Sequence, residues 1–373
     1  MDAQIKFLPK AEQVPLILRW LYESCGYLKY RMSKFEAYDL YAENKQFLKG
    51  EGIITFTDTA GRLMALKPDV TVSMVKNADD NGGISKYYYN ENVFRLEHQG
   101  GEYKEISQIG IEFFGAETDY DEAEVLSLAA STLSVISDEF VLDVSHMGFI
   151  SGLLDALDCT GSAAQSILAA LRNKNTGELS LLARKHSLSQ EQKDLLISAA
   201  TLRGRLCDTL CSAAKLVQNP EMETALNNLK TLGDVLKILN VSESIYLDFS
   251  VVNDLDYYNG LVFRGYVRGA PRAVLSGGRY DNLMHRFSKK QGAIGFALYL
   301  SELDRLFYET PEYHVDVLLI TGAEPASSVA RTAQRLRLSG QSVRVQSHMS
   351  SDIKARQILR LTENGLEEVS LNA

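Results

Sequence analysis

A carboxylate and a hydroxyl stand two residues apart in the segment Lys67-Pro68-Asp69-Val70-Thr71. Together they supply what a buried ammonium group requires, because a desolvated cation must be both neutralised and hydrogen-bonded. The same segment also fits the start of a helix after a proline, with Asp69 as the capping residue. Taken alone, the segment leaves ligand binding and helix capping as open alternatives.

A second polar pair, Gln108 and Glu112, interrupts an apolar run that is typical of a strand. Residues four apart on a strand project from one face, so both side chains should point into the same space. Glu112 can accept an N–H from a ligand, and a tyrosine hydroxyl can serve a second ligand group as donor or acceptor. The candidate tyrosines are Tyr257, Tyr258 and Tyr280. An isolated Glu112 would fit a solvent-facing position, but its apolar neighbours favour a pocket.

These tyrosines lie in two tracts, Asn-Asp-Leu-Asp-Tyr-Tyr at 253–258 and Ser-Gly-Gly-Arg-Tyr-Asp at 276–281. Together the tracts resemble the two histidine-specific signatures of class II histidyl-tRNA synthetases, the first of which reads Arg-Gly-Leu-Asp-Tyr-Tyr. The segments at 67–71 and 94–112 resemble two further parts of that family, the segment that holds the amino group and the motif 2 hairpin. The resemblance implies a histidine pocket formed by Asp69, Thr71, Arg95, Gln108, Glu112, Tyr257, Tyr258 and Tyr280.

The positions that serve ATP in that family differ in this chain. Asn253 stands where the family has an arginine that helps to activate the histidine carboxylate, and Glu102 stands where the motif 2 loop has another arginine. In motif 3, Tyr299 replaces the glycine that admits adenine and Glu302 replaces an arginine that meets phosphate.

Adenylation brings a carboxylate against the α-phosphate of ATP, and two anions approach only when cations spread their charge. At about 5 Å and an effective dielectric constant of about 20, each charge is worth roughly 3 kcal/mol. Replacing three cations by two anions and a neutral group should therefore abolish ATP binding. The chain is predicted to have no catalytic residue and no aminoacylation activity.

Arg95 is the arginine of motif 2 that this chain retains. It could still bind an anion, either a phosphate or the carboxylate of an amino acid. It could equally form a structural ion pair with Glu97 or Glu112. The sequence leaves these two interpretations open.

The elements that would position these residues predict an α+β fold, a class II synthetase-like antiparallel sheet flanked by helices. A helix is expected at 14–22, strands at 87–95 and 109–114, a helix at 121–137, and strands at 245–252, 261–267 and 273–275. Between them, leucines at helical spacing predict a helical insert at about 148–238, most simply a packed support for the sheet. The expected first domain covers residues 1–312.

The remaining residues, 313–373, predict a small α/β domain. Strands are expected at 315–320, 342–346 and 368–371, and helices at 325–338 and 352–362, in a βαβαβ order. This order resembles a shortened form of the anticodon-binding domain of the synthetases. Its Lys and Arg number seven and its Asp and Glu six, so it offers no concentrated basic surface for RNA.

Composition limits the remaining function classes. The net charge of −9 makes a general nucleic-acid binder improbable. The first residues mix charges among apolar residues, and no apolar run reaches the length of a membrane span, so a cytoplasmic protein without membrane association is expected. The four cysteines, Cys25, Cys159, Cys207 and Cys211, lack metal-ligand spacing, and we expect neither a metal nor a cofactor.

A synthetase-like chain that keeps histidine ligands and loses ATP ligands is similar to the regulatory subunit of ATP phosphoribosyltransferase. In that family the subunit associates with a short catalytic subunit, is needed for its activity, and transmits feedback inhibition by histidine in the first step of histidine biosynthesis. The resemblance implies this partner, histidine as effector, and a homodimer within a hetero-oligomer. A divergent histidyl-tRNA synthetase and a histidine sensor with another partner are the alternatives.

Overall fold

The computed structural model describes residues 8–43, 52–78, 83–96, 101–252, 257–307, 313–349, 352–362 and 365–369. The chain divides into a larger unit, residues 1–307, and a smaller unit, residues 308–373. Each unit has its own sheet and its own buried core.

The larger unit combines one long sheet, a short three-stranded sheet and a set of helices. Its strands are β1 (Leu28–Lys29), β2 (Phe35–Ala37), β3 (Thr55–Thr57), β4 (Leu63–Leu66), β5 (Ser85–Leu96), β6 (Tyr103–Phe114), β7 (Phe140–His146), β8 (Arg203–Arg205), β9 (Ile245–Asp248), β10 (Leu261–Val267), β11 (Leu275–Arg279) and β12 (Ala293–Tyr299). Its helices are α1 (Lys10–Ser24), α2 (Tyr38–Ala42), α3 (Val70–Asn77), α4 (Asp119–Ile136), α5 (Met147–Ala156), α6 (Gly161–Arg172), α7 (Thr176–Lys185), α8 (Gln190–Thr201), α9 (Leu206–Ala214), α10 (Pro220–Ile238), α11 (Asp281–Arg286) and α12 (Asp304–Phe307). Among the helices of the described ranges, none is long and apolar enough to cross a membrane.

The long sheet has nine strands in the order β1-β5-β6-β12-β11-β10-β7-β9-β8. The β1–β5 and β7–β9 pairs are parallel, and the other neighbours are antiparallel. This arrangement confirms the predicted α+β fold with a mainly antiparallel sheet. The predicted strands at 87–95 and 109–114 are parts of β5 and β6, which form a hairpin of two twelve-residue strands.

Alternate residues of this sheet face two different apolar layers. On one face, Tyr88, Ile111 and Phe263 belong to a core that includes α1, α4 and the insert. On the other face, Tyr89 and Val262 pack with α3 and α11. Because the side-chain period of a strand is two, the register of β5, β6 and β12 decides which polar residues reach the second face.

Helix α4 covers the first face and begins at Asp119, two residues before the start that the sequence predicts. Thr118 caps the helix by accepting from the Asp121 backbone N–H, while the Asp121 carboxylate accepts from the Thr118 backbone N–H. This reciprocal capping box satisfies two backbone donors at the start of the helix. Helix α4 then buries an apolar stripe that includes Leu126, Leu133 and Ile136 against the sheet.

The predicted helical insert corresponds to α5–α10, with the short strand β8 between α8 and α9. Its leucines lie in the core, and α10 packs against both α4 and α5. Leu153, Leu171, Leu229 and Leu236 are all at most 1% exposed. The insert therefore supports the sheet, as its leucine spacing predicts.

The smaller unit contains β13 (Val315–Ile320), α13 (Ala326–Leu338), β14 (Val343–Gln346), β15 (Ala355–Thr362) and β16 (Gly365–Glu368). Its sheet has the order β14-β13-β15-β16, with β15 and β16 antiparallel. The βαβαβ prediction is wrong, because the expected helix at 352–362 is the strand β15.

The error has a physical cause in the burial of β15. Ala355, Ile358 and Leu359 recur at the spacing of one helical face. However, Ala355 and Ile358 pack in one apolar cluster, whereas Leu359 and Leu361 pack in another. A strand in the interior of a sheet is apolar on both faces, so its pattern is difficult to distinguish from that of a buried helix.

Candidate functional site

Helix α3 brings the two polar residues of the first segment to the second face of the long sheet. Asp69 is the N-cap residue of α3, and its Oδ1 accepts from the Val72 backbone N–H at 3.0 Å. Thr71 lies in the first helical turn and donates from Oγ1 to Oε1 of Glu112 at 2.6 Å. Asp69 therefore caps the helix, which is one of the two roles that the sequence left open, while Thr71 faces β6.

Glu112 lines a pocket and is only 2% exposed. Its Oε1 accepts from Thr71, and its Oε2 accepts a very short hydrogen bond from the Tyr280 hydroxyl. Directly opposite on β12 stands Gly295, where an added Cβ would overlap Oε2 of Glu112. The glycine thus creates the space into which this carboxylate fits.

Burial raises the pKa of Glu112 to about 8, and the neighbouring charge of Asp69 acts in the same direction. The hydrogen bonds from Thr71 and Tyr280 oppose this rise, because they stabilise the ionised form. The carboxyl group therefore titrates near neutral pH. A buried acid of this kind is suited to share a proton with a ligand base, and imidazole titrates at about 6.5 in histidine side chains.

Gln108 lines the same pocket, as the strand periodicity predicts. It is 3% exposed, and within the described residues its side chain has no hydrogen-bond partner. Tyr89, from the neighbouring β5, is 1% exposed and also lines the pocket. Its hydroxyl likewise has no recorded partner in the parts of the chain that the structure describes. Their polar atoms are reached from the pocket, so they are available to solvent or to a ligand there.

Three tyrosines close one side of the pocket. The rings of Tyr257 and Tyr258 lie 4.5 Å apart, and those of Tyr257 and Tyr280 lie 6.1 Å apart. The Tyr258 ring packs so closely against Gly278 that an added Cβ there would overlap it. Burial raises the pKa of all three hydroxyls far above the usual value, so they remain neutral donors and acceptors.

Arg95 forms an ion pair that the sequence does not identify. Its Nη2 lies 3.0 Å from Oδ2 of Asp69, and its Nε donates to the Pro68 carbonyl at 2.6 Å. The alternative of an ion pair with Glu112 is not realised, since the acid that Arg95 pairs with is Asp69. The other expected partner, Glu97, lies outside the described residues.

Tyr299, one of the positions where the family binds ATP, forms part of the pocket wall. Tyr299 lines the pocket, and its hydroxyl lies 2.7 Å from Oγ of Ser276. Glu302 pairs with Arg272 at 3.1 Å. Glu102 is exposed before β6, and Asn253 lies outside the described residues.

The arginine of the second tract has a structural role. Arg279 pairs with Glu122 at 3.2 Å and with Asp281 at 2.8 Å, and it donates to the Ala116 carbonyl. Asp281 in turn accepts from the Ala293 backbone N–H. Arg279 therefore joins α4, β11 and α11, and this network holds the neighbouring Tyr280 in place.

All eight predicted pocket residues line one cavity, so residues far apart in the sequence meet at one site. Sequence reasoning missed several of its walls, namely Val70, Tyr89, Ser276, Gly277, Gly295, Phe296 and Ala297. Tyr89 could have been found from the hairpin register, since it pairs with Gly110 between Gln108 and Glu112. Across the described ranges, no group of His, Cys, Asp and Glu side chains could hold a metal ion.

The sequence and the fold both have known relatives. The sequence model of the family described as histidyl-tRNA synthetase matches residues 7–303. The ATP phosphoribosyltransferase regulatory subunit of Oceanobacillus iheyensis is 27% identical over 369 residues, which are 97% of this chain and 90% of that protein. The regulatory subunit of the same name from Geobacter metallireducens is 29% identical over 351 residues, or 90% of this chain and 81% of that protein.

Among solved structures, one similar protein comes from Bacillus halodurans C and is described as an ATP phosphoribosyltransferase regulatory subunit/histidyl-tRNA synthetase. It superposes with a TM-score of 0.76 at 25% identity, covering 92% of this chain and 90% of that one. The predicted resemblance to these regulatory subunits and the predicted class II synthetase-like fold are therefore confirmed.

Proposed function

The chain belongs to the histidyl-tRNA synthetase family, and on this premise we propose that it is a non-catalytic regulatory subunit of ATP phosphoribosyltransferase with histidine as its effector. It would associate with a short catalytic subunit, be required for the activity of that subunit, and transmit feedback inhibition by histidine. The curated relatives support this assignment, because they are named regulatory subunits and match most of the chain.

The observation that carries the effector assignment is the environment of Glu112. A carboxylate held by two hydroxyl donors in a tyrosine-walled pocket can bind one N–H of an imidazole. A tyrosine hydroxyl elsewhere in the pocket lining can serve the second ring nitrogen. An aliphatic side chain of similar size would offer this buried acid no hydrogen bond beyond those from Thr71 and Tyr280, which disfavours it relative to imidazole by roughly 1–3 kcal/mol.

The nucleotide side of the site supports a role without catalysis. Tyr299 occupies the wall where the family admits adenine, and its hydrogen bond to Ser276 fixes the ring there. Glu302 and Glu102 stand at positions where the resemblance implies arginines that meet phosphate, and Glu302 pairs with Arg272. An ATP molecule would therefore meet the Tyr299 wall without the cations that its phosphates require.

Binding at Glu112 also offers a route for regulation. Thr71 belongs to helix α3, and its hydrogen bond to Glu112 joins that helix to β6. A ligand that bonds to Glu112 shares this carboxylate with Thr71 and is thereby linked to the start of α3. If the complex has two arrangements that differ there, histidine shifts their equilibrium by its difference in affinity for them.

Reconstitution with a short ATP phosphoribosyltransferase catalytic subunit tests this proposal. We expect the two proteins to coelute, the catalytic subunit to become active, and histidine to inhibit the complex. Glu112→Gln should retain coelution and activity but lose inhibition. A catalytic subunit that neither binds this chain nor depends on it for activity would refute the regulatory role.

A divergent histidyl-tRNA synthetase is the second candidate, favoured by the retained Arg95 and by the family to which the chain belongs. Histidine-dependent ATP–pyrophosphate exchange by the purified protein would establish it and would contradict the non-catalytic assignment. We further propose a homodimer within the hetero-oligomer, a cytoplasmic location and no nucleic-acid partner. Mass measurement of the complex and a tRNA-binding assay test the first and last of these statements.

A further inference from the structure

Lys67 is a buried lysine outside the lining of the pocket. Its side chain is 0% exposed, and its Nζ lies 2.9 Å from Oε2 of Glu91 on β5. Burial lowers the pKa of the Lys67 ammonium, while Glu91 and Glu36 oppose this fall. A buried ion pair contributes little net stability compared with apolar side chains of similar volume, so stability alone does not account for this one.

The backbone of Lys67 joins three elements of the larger unit. Lys67 follows β4, the central strand of the small sheet, and precedes the Asp69 cap of α3. Its N–H donates to the Lys34 carbonyl at 3.1 Å, and its carbonyl accepts from the Phe94 N–H of β5 at 3.0 Å. Lys67 therefore lies where the small sheet, the β5–β6 hairpin and α3 meet.

The ion pair fixes this junction at one position along β5. Glu91 lies directly opposite Gln108 of β6, and Gln108 lines the pocket. The backbone hydrogen bond at Phe94 and the ion pair at Glu91 hold Lys67 to β5 at two points. Because the two attachments are separate, the chain cannot slide along β5 or rotate about either one without breaking the other.

Little conformational freedom remains between Lys67 and Thr71. Pro68 has a fixed φ, and Asp69 is held as the cap of α3, so the connection from Lys67 to Thr71 is stiff. The Thr71 hydroxyl donates to Glu112 at 2.6 Å. A shift of Lys67 along β5 would therefore move this hydroxyl relative to the carboxylate.

We propose that Lys67 is a positioning residue of the pocket, because its ion pair with Glu91 sets the place of α3 on β5 and so keeps the Thr71 hydroxyl on Glu112. Lys67 acts through Thr71 rather than on the ligand. The inference rests on the proposed histidine site and adds to it a residue outside the pocket lining. Through the same residue, the small sheet that contains β4 is joined to the pocket.

Removing the ion pair as a unit separates positioning from stability. Lys67→Met combined with Glu91→Gln leaves neither partner as an unpaired buried charge, so the stability of the full chain in urea should stay close to that of wild type. The pKa of Glu112, followed by carbon NMR of its carboxyl group, should rise by about one pH unit, since its ionised form loses a hydrogen bond. Histidine affinity of the complex with the catalytic subunit, measured by calorimetry near neutral pH, should fall about tenfold, because the carboxylate that accepts the ligand N–H is less stable by that factor.

Thr71→Val and a second ion pair serve as comparisons. Thr71→Val removes the hydroxyl itself and should raise the pKa of Glu112 by a similar amount, and adding it to the paired variant should raise the pKa no further. Lys86 and Glu124 form the matched control pair, which joins β5 to α4 on the opposite face of the sheet with side chains 22% and 17% exposed. Lys86→Met combined with Glu124→Gln should change neither the pKa of Glu112 nor histidine affinity. Asp69, whose charge also acts on Glu112, is unaltered in all of these variants.

A folded paired variant with the wild-type pKa of Glu112 and wild-type histidine affinity would overturn the inference, since Lys67 would then be purely structural. A further rise of the pKa when Thr71→Val is added would also overturn it, because Lys67 would act on Glu112 by another route. If the paired variant does not fold, Glu91→Asp takes its place, since it keeps both charges but shortens the acid. A smaller rise of the pKa is then expected, and an unchanged pKa would contradict the positioning role. If the wild-type complex binds no histidine, the proposed function fails, whereas the pKa of Glu112 in these variants still decides the role of Lys67.

Discussion

Replacing Glu112 by glutamine should stabilise the ligand-free protein, and the gain should grow with pH. Burial raises the pKa of Glu112 from 4.5 to about 8 on folding. The native protein therefore holds a proton that the unfolded chain releases between these two values. The stability contributed by this bound proton is complete below pH 4.5 and is lost as the pH rises to about 8.

The size of the effect follows from the interval between the two pKa values. Each pH unit within it removes roughly 1.4 kcal/mol of folding stability, so the whole interval is worth about 5 kcal/mol. Glutamine resembles the protonated acid and does not titrate. The hydroxyls of Thr71 and Tyr280 can rotate to bond to either end of the amide. Between pH 5.5 and 8.5, the stability of Glu112→Gln relative to wild type should thus increase by about 3 kcal/mol.

Urea denaturation followed by circular dichroism, without histidine, measures this difference at several pH values. Glu105→Gln is the matched control, because Glu105 lies on the same strand but is exposed to solvent. Its stability relative to wild type should not vary with pH. A constant difference for Glu112→Gln over the same range would refute the reasoning, since Glu112 would then not be a buried acid that titrates near neutral pH.

If the imidazole binds as a cation paired with ionised Glu112, histidine affinity measured by calorimetry should fall about tenfold per pH unit above pH 8, because free Glu112 and free imidazole are then both deprotonated; a flat profile would show instead that a neutral imidazole donates its N–H to the carboxylate. Gly295→Ala should abolish histidine binding, because its Cβ would overlap both Oε2 of Glu112 and the Ile111 carbonyl, whereas Gly83→Ala, in open space, should leave binding unchanged; unchanged binding by a folded Gly295→Ala protein would show that the carboxylate does not need this space. Arg279→Met leaves the buried Glu122 without its ion pair and should lower the free energy of unfolding, measured in urea, by about 3–5 kcal/mol. The control Arg272→Met removes an exposed ion pair and should lower it by less than about 1 kcal/mol. Equal losses in the two variants would contradict the structural role of Arg279.

Much of the site could be predicted because its pattern is local. Gln108 and Glu112 share a face of β6 for the simple reason that strand side chains alternate, and the structure places both in the pocket. The leucine spacing of the insert predicts helices in the same way. In the smaller unit the same reasoning failed at β15, because a strand buried on both faces shows no alternation.

The choice of partners could not be predicted. Arg95 had Glu97 and Glu112 as the expected acids, but it pairs with Asp69, 26 positions earlier in the chain. That choice depends on α3 lying across the β5–β6 hairpin, which sequence spacing does not specify. The same packing turns Asp69 into a helix cap and directs Thr71 to Glu112.

The sequence by itself determined the family, the α+β fold, the residue types of the pocket and the changes on its nucleotide side, because these depend on motifs and short periodicities. Only the tertiary structure decided which pocket residues carry a charge and which of them pair with one another. Burial depth sets the protonation of Glu112, and the approach of α3 sets the pairing of Asp69 with Arg95. Both are properties of contacts between distant segments, and the energies of such contacts depend on distance and dielectric environment rather than on residue order.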